Sequence, residues 1–386
     1  MTNFLNWPKW EVTRVVGYEW GPILVEARYL PSFKGCPDCA AGVLDKHGKK
    51  TMDFVDSPSR GQPVTIRAEV QRYRCRTCKS SPLQLLPDMD PSRRMTRRCS
   101  SYIQNHALRK TFAAVAEETG VNEKTIRAIA GEKRNNTIEL PKFPVMVLGI
   151  DEVKIAGRLR AIFTDLENHR ILDLIESSRK SAVVEWLSAL EFPESLIAVC
   201  IDGWRPYRDA IREVFGQNAH IVADKFHILR IANHCIHMVH KQSAVRVKPV
   251  HGRATDRRQK RALLKRSEHL NEEEQLKLDK AFRDAPQLKA AYDAKEAFFA
   301  IYALKARPAA EKALAEWEAG LTPDLRLVFK ALLTTLQNWR CEVLAYWDHA
   351  GVTNAFTEAM NGQIKQIVRS GRGYSFPEIR NRILNR

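Results

Sequence analysis

Three acidic residues stand where a folding chain could bring them together. Asp151 closes the apolar run Val145-Met-Val-Leu-Gly-Ile150, Asp202 closes Leu196-Ile-Ala-Val-Cys-Ile201, and Glu358 lies far downstream in Thr353-Asn-Ala-Phe-Thr-Glu358. Carboxylates on separate rigid elements are what a two-metal nuclease site needs. They hold a pair of divalent cations roughly 3.5–4 Å apart, one activating the attacking oxygen and the other stabilising the leaving one. A lone aspartate at a strand end is more often a turn former or helix cap, and a lone helical glutamate is usually just exposed. The assignment therefore depends on the elements that present these groups.

From Phe143 the sequence reads as buried strands over 145–155, 159–165 and 170–176, with turns at Ala156-Gly-Arg158 and Glu167-Asn-His169. A helix follows over 181–190, with Val183, Val184, Leu187 and Leu190 on one face. Then come a fourth strand over 196–201, a helix over 206–215 opened by Pro206, and a fifth strand over 220–223. This β-β-β-α-β-α-β order is that of the ribonuclease H fold, in which the first and fourth strands are neighbours. That analogy puts Asp151 beside Asp202. Asp224 ends the fifth strand in Ala223-Asp-Lys-Phe-His227 and is the rival for the second carboxylate. Strand order ranks it below Asp202 and gives Asp224 and His227 a supporting or capping role. A last helix over 352–369 is expected to bury Phe356, Met360, Ile364 and Ile367 and to gather Asn354, Glu358, Asn361 and Lys365 on another face. Glu358 would then complete a carboxylate triad, with Asn354 and Asn361 in support.

The chain has 62 Lys and Arg against 45 Asp and Glu, a net charge of +17. A field of that sign favours a polyanion, with nucleic acid ahead of an acidic membrane. No apolar stretch approaches the ~20 residues of a membrane span, and the first residues lack the basic and apolar regions of a secretory signal, so a cytoplasmic location is expected. Four of the eight cysteines form two C-x-x-C knuckles, Cys36-Pro-Asp-Cys39 and Cys75-Arg-Thr-Cys78, while Cys99, Cys200, Cys235 and Cys341 are scattered. Four thiolates at that spacing can close a tetrahedral structural zinc site, here on a ribbon with a long hairpin through Val64–Val70. His47 is then a loop histidine rather than a ligand. Beyond the ribbon comes a basic patch, Arg93-Arg-Met-Thr-Arg-Arg98, followed by helical segments at 102–108, 112–119 and 123–130. Ala116 permits close helix contact, Gly120 suits a left-handed turn, Asn122 can cap, and Ile126 with Ile129 packs the second helix on the first. This helix-turn-helix would offer Glu123, Lys124 and Arg127 to a major groove, with Arg97 and Arg98 on the neighbouring patch. From Lys225 to about Trp347 the pattern is helical, with a densely basic stretch at 246–266 and further helices at 288–304, 309–319 and 325–339. It reads as a helical insertion at about 228–347, tolerable at a surface because closure cost grows only logarithmically with length.

Gly149-Ile-Asp-Glu152, Ile201-Asp-Gly-Trp-Arg-Pro-Tyr207, Ala223-Asp-Lys-Phe-His227, Asn354 with Glu358 and Asn361 through Lys365, and Gly373-Tyr-Ser-Phe376 with Arg380-Asn-Arg-Ile383 resemble the insertion-sequence L-three family of bacterial transposases. The resemblance spans nearly the whole chain. It implies a multidomain α+β protein: a zinc ribbon at 1–90, a helix-turn-helix at 91–140, and a ribonuclease H-like α/β core at 141–386. It further implies a DDE triad of Asp151, Asp202 and Glu358 working with Mg²⁺ or Mn²⁺, and structural Zn²⁺ on Cys36, Cys39, Cys75 and Cys78. The partners implied are double-stranded DNA, as terminal inverted repeats and as target, and further copies of the chain on that DNA. Lys365 and Arg369, with Arg372, Arg380, Arg382 and the basic insertion, are expected to hold backbone phosphates. Two rivals fit parts of the pattern: a DNA-binding regulator whose carboxylates are structural, and a structure-selective nuclease that cuts without strand transfer.

Overall fold

The computed structural model describes residues 4–17, 21–31, 35–90, 92–132, 140–246, 253–349, 351–371 and 373–385. The chain divides into two compact units, Met1–Thr137 with Ile367–Arg386, and Ile138–Gln366. In the first, strands β1 (Trp10–Gly17), β2 (Ile23–Tyr29), β3 (Leu44–Ser59) and β4 (Gln62–Cys75) form one sheet in the order β1-β2-β4-β3. β2 and β4 run parallel and the other pairs antiparallel. The long hairpin expected through 64–70 is β3–β4. Its two-residue turn holds Arg60 at φ 53° and Gly61 at φ 73°, the paired positive angles that match strand twist. Along β4, Val64, Ile66, Ala68 and Val70 alternate inward onto Leu5, Trp10, Val25 and Phe54.

Helices α1 (Arg97–His106), α2 (Phe112–Thr119) and α3 (Glu123–Glu132) follow. Thr96 and Thr111 cap the first two by accepting from Cys99 N (3.0 Å) and Ala114 N (3.2 Å). Gly120 takes the left-handed position at φ 72° and donates to Ala116 O (2.8 Å), while Asn122 Oδ1 accepts from Thr125 N (2.9 Å). Ile103, Phe112, Val115, Ile126 and Ile129 fill the core of this helix-turn-helix.

The second unit is built on β5 (Val147–Ile155), β6 (Arg158–Asp165), β7 (Arg170–Ile175), β8 (Ala198–Ile201) and β9 (His220–Ala223), ordered β7-β6-β5-β8-β9. Helices α4 (Lys180–Ser188) and α5 (Arg205–Phe215) make the connections on either side of β8. Trp186 of α4 stacks on Phe163 at 3.8 Å and donates its indole N–H to the buried Asp173 (3.0 Å). β5 continues past Asp151 to Ile155 because β6 pairs with it along its whole length, so Asp151 is not at a strand end. The parallel pairing with β8 stops at Gly149↔Cys200, and Asp151 stands where β5 loses that neighbour.

After β9 the chain is helical: α6 (Lys225–Arg246), α7 (Arg253–Leu264), α8 (Glu272–Asp284), α9 (Pro286–Ile301), α10 (Arg307–Gly320), α11 (Pro323–Val328), α12 (Lys330–Asn338), α13 (Arg340–Asp348), α14 (Ala355–Ser370) and α15 (Phe376–Leu384). None of the described helices is long and apolar enough to cross a membrane. The single helix expected over 325–339 is broken at Phe329, and a new helix starts after Trp339, where it was expected to end. Both leave helical geometry and drive their rings into the core, 0% and 6% exposed. The insertion is also no surface appendage. Its Phe298, Phe329, Leu332 and Leu336 belong to the same apolar core as Leu148, Val199 and Tyr207 beneath the sheet. The buried Lys295 of α9 is satisfied by the carbonyls of Leu263 and Lys265, each at 2.9 Å.

α15 belongs to the first unit. Its Glu378, 4% exposed, accepts from Arg127 Nη1 of α3 at 3.0 and 3.2 Å. Arg382, also buried, stacks on Tyr374 (4.2 Å) and Phe112 (4.9 Å) and donates to the carbonyl of Lys110 (2.9 Å). A second internal ion pair joins helix to sheet in this unit. The buried carboxylate of Asp56 on β3 accepts from Thr96 Oγ1 and Arg98 Nε, each at 2.7 Å, and Arg98 lies over Trp7. Replacing Asp56 by Ala leaves that guanidinium without its partner. The change is expected to lower the stability of this unit by about 2–3 kcal/mol, read from the shift in urea midpoint.

Candidate active site, zinc centre and DNA-binding surface

Asp202 follows the last residue of β8 and Asp224 the last residue of β9. β5 and β8 are adjacent and parallel, and continuing their register two places beyond Gly149↔Cys200 sets Asp151 level with Asp202. β8 and β9 are likewise paired, Ile201 opposite Ala223, with Asp224 N donating to Ile201 O (2.8 Å). Three carboxylates thus sit in a row at one end of the central strands. Asp202 Oδ1 accepts from Trp204 N (3.2 Å) across a turn in which Gly203 has φ 85°.

Glu358 arrives on α14, and the docking of that helix is polar. Its buried stripe near the N-terminus is Asn354, Thr357 and Asn361, followed by Ile364 and Ile367. Phe356 and Met360, expected to be buried, are only partly so, and Glu358 and Lys365 are exposed. The reason lies on β5 and β6, which present polar partners. Asn354 Nδ2 donates to Ile150 O (3.0 Å), its backbone N–H donates to Asp224 Oδ1 (3.0 Å), and its Oδ1 accepts from Thr357 Oγ1 (3.0 Å). Thr357 also shares a hydrogen bond with Thr164 Oγ1 of β6 (2.7 Å). One turn on, Asn361 Nδ2 donates to Asp151 Oδ2 (2.8 Å). Asp224 also accepts from His227 N (3.3 Å), and the ring Nδ1 of His227 meets Arg230 Nη2 at 2.6 Å. Asp224 therefore ties β9, α6 and the start of α14 together.

Gly149 and Thr357, although they stand inside the quoted motifs, and Thr164 received no role from the sequence. A side chain at Gly149 would put its Cβ 2.5–2.6 Å from the side-chain oxygens of Thr164, Asn354 and Thr357. The available signal was a glycine inside an apolar strand, which marks a close approach.

The electrostatics of the row are those of uncompensated carboxylates. Burial pushes the Asp151 carboxyl up to about 7, with Asp202, Glu358 and Asp224 adding like-charge repulsion and the Glu152 N–H opposing it. Burial likewise raises Asp202 and Asp224, while the Trp204 N–H and Arg230 pull Asp202 back down. Asn361 Oδ1 is buried with no hydrogen-bond partner. Hard oxygen donors, like charges close together and an unused acceptor make a set that suits a divalent cation. Among the described residues, only the four ribbon cysteines bring three or more ligand atoms within 4.8 Å of one another, so the acids form a wider row than a single-ion cage.

The cysteines do form such a cage. Cys36 and Cys75 are buried, Cys39 and Cys78 exposed, and Cys36–Cys78 and Cys39–Cys75 approach to 3.6 Å at the open end of the β3–β4 hairpin. Four sulfurs about 2.3 Å from a tetrahedral centre lie roughly 3.8 Å apart, so the set fits Zn²⁺. Ser80 Oγ at 3.1 Å and its backbone draw the Cys78 thiol down to about 6, towards the thiolate that a metal requires.

The basic residues singled out for DNA divide into two groups. Arg97, Lys124, Lys365 and Arg369 are exposed, Arg97 with its Nε on Pro87 O (2.8 Å). Arg98 is engaged by Asp56, Arg127 by Glu378, and Arg382 is buried as described. Lys265 pairs with Glu274 and Arg266 with Glu268, and Arg372 and the side chains of Arg253, Arg257 and Arg258 lie outside the described residues.

Two measurements check these centres. Gly149→Ala is expected to destabilise the second unit by about 2–3 kcal/mol in a denaturant titration, because packed oxygens must move to admit the methyl. Cys39→Ser with Cys78→Ser is expected to abolish the zinc found by elemental analysis of the purified chain. It should also lower the melting temperature of the ribbon unit, as chelation of the parent protein should.

Residues 148–383 match the family model for the ISL3 DDE transposase, described as a transposase. Residues 84–130 match a helix-turn-helix domain of transposase family ISL3, and residues 33–78 a zinc-finger of transposase IS204/IS1001/IS1096/IS1165. No curated protein matches the chain. The first match alone spans more than half of the sequence and contains all three acids, and the three follow one another in the order ribbon, helix-turn-helix, catalytic domain. The chain belongs to the ISL3 family of transposases.

Proposed function

We propose that the protein cuts phosphodiester bonds at the ends of an insertion sequence and joins the freed ends to target DNA, with Asp151, Asp202 and Glu358 as its catalytic acids. The observation that carries this reading is the hydrogen bond from Asn361 to Asp151, made by the helix that bears Glu358. That contact joins the helix of the distant glutamate to the strand of Asp151, which supports grouping the three acids. Both reactions exchange one P–O bond for another by in-line displacement, water attacking first and the freed 3′-hydroxyl second, so one site serves both. Divalent cations, Mg²⁺ or Mn²⁺, when bound by the three acids would activate the attacking oxygen and stabilise the leaving one.

The remaining residues hold this arrangement. Asn361 fixes one oxygen of Asp151 while the Glu152 N–H fixes the other (2.7 Å). Asp224 and Asn354 anchor the helix start, and His227 with Arg230 buttresses the far side. For DNA recognition, α3 offers the exposed Lys124, and Arg127 is aimed by its bond to Glu378. Arg97, Lys365 and Arg369 supply exposed charge for phosphates, whereas Arg98 serves DNA only through the patch that it braces. Because two element ends must meet in one event, the active form is an oligomer on DNA.

The test is cleavage of a duplex carrying the terminal repeat, with the divalent metal varied. Asp151→Asn, Asp202→Asn and Glu358→Gln should each slow cutting by at least about 10³-fold while leaving repeat binding within about threefold. Cutting at the parental rate by Asp151→Asn would end the triad assignment. Cutting by the parent without joining of ends to a plasmid would make the protein a nuclease of this fold rather than a strand-transfer enzyme.

A further inference from the structure

The two strands that end in Asp202 and Asp224 repeat one pattern. Each acid is followed two residues later by an aromatic: Asp202-Gly203-Trp204 after β8 and Asp224-Lys225-Phe226 after β9. The strands are hydrogen-bonded neighbours in register, so both aromatics leave the sheet at the same end as the acids. Trp204 is 48% exposed and Phe226 44%. The helices they precede or open are anchored by other residues, Tyr207 at 0% and Ile228 at 1%, so neither exposed ring is needed to hold its helix on the core. Single exposed apolar side chains are ordinary. Two large rings at the same offset from two acids on paired strands are a different case. Positive charge accompanies them. Arg205 and Arg230 are exposed, and Lys225 Nζ lies 5.3 Å from the Phe226 ring. The Trp204 backbone is held in place by its bond to Asp202.

Flat apolar faces interleaved with cations, beside carboxylates that act on a phosphodiester, match the chemistry of a nucleotide whose base has left the duplex stack. We propose that Trp204 and Phe226 form a stacking platform for unpaired bases flanking the scissile phosphate, so that the strand is cut from a locally opened duplex. The proposal rests on the reading of the three acids as a DNA-cutting site. The occupant is a nucleobase of the substrate strand, favoured over a protein partner by the cations around the rings and by the continuity of the patch with the acids.

The experiment uses the full chain and two duplexes of one terminal-repeat sequence, one fully paired and one mismatched over the bases flanking the cleavage position. Metal-free binding is followed by fluorescence anisotropy and cleavage by gel. The parent should bind the mismatched duplex about tenfold more tightly than the paired one, and Trp204→Ala and Phe226→Ala should each erase most of that preference. In cleavage, Trp204→Ala should slow the paired duplex about tenfold or more and be rescued to within about threefold by the mismatch, and Trp204→Phe should stay near the parent. Equal slowing on both duplexes, or no effect of either alanine, would overturn the platform. So would an alanine effect confined to the oligomeric state in light scattering, which would make the patch a contact between copies. Asp151→Asn separates the two ideas. It should keep the preference for unpaired DNA while losing cleavage; if it cuts normally the triad falls, and the binding preference still decides the platform.

Discussion

The arrangement of the catalytic unit depends on how α14 is held against β5. A helix bearing a distant acid could have been docked by apolar side chains, which grip without direction. Here the contact is made by Asn354, Thr357 and Asn361 on Ile150 O, Thr164 and Asp151, over a glycine that lets the helix come close. Hydrogen bonds have a preferred distance and angle, so this contact fixes the rotation of the helix as well as its presence. Glu358 is placed by that rotation. Turning α14 to bury Phe356 and Met360 would swing Glu358 away from the two aspartates.

The positive surplus needs the same spatial reading. Several of the cations that make the chain basic are consumed inside it: Arg98 on Asp56, Arg127 on Glu378, Arg382 and Lys295 on carbonyls, and Arg160, 5% exposed, beside Glu176. Arg98 and Arg127 neutralise carboxylates that would otherwise be buried unpaired, and the other cations are themselves buried and held by carbonyls or an exposed carboxylate. The exposed positive charge is therefore smaller than the composition suggests, and Lys124, Lys365 and Arg369 are among the residues that carry it.

Much of this was legible in the residues. The strands that carry Asp151 and Asp202 followed from apolar runs of the right length, and the helix-turn-helix from Ala116, Gly120 and Asn122, because those signals are local; the adjacency of the two strands came from the fold analogy. The cysteine pairs announced their cage by ligand count alone. What escaped was set by partners remote in sequence. A helical wheel assigns the buried face of α14 to its apolar residues, yet the polar atoms of a strand two hundred residues earlier turned its first half so that Asn354, Thr357 and Asn361 are buried in place of Phe356 and Met360, while Ile364 and Ile367 stay buried as expected. The break at Phe329 was equally hidden, since tertiary packing overrode a helical period that was continuous. Strands β1 and β2 carry no motif, and the parallel pairing of β2 with β4 is a long-range choice that composition does not announce.

The first unit is assembled from both ends of the chain, with Tyr374, Glu378 and Arg382 completing the packing around Phe112 and Arg127. During synthesis the ribosome delivers the helix-turn-helix more than two hundred residues before its last structural partners emerge. Its finished form must wait for translation to reach α15. A message that is cut short or shifted in frame upstream of that helix yields a product in which Arg127 of α3 lacks the carboxylate that braces it.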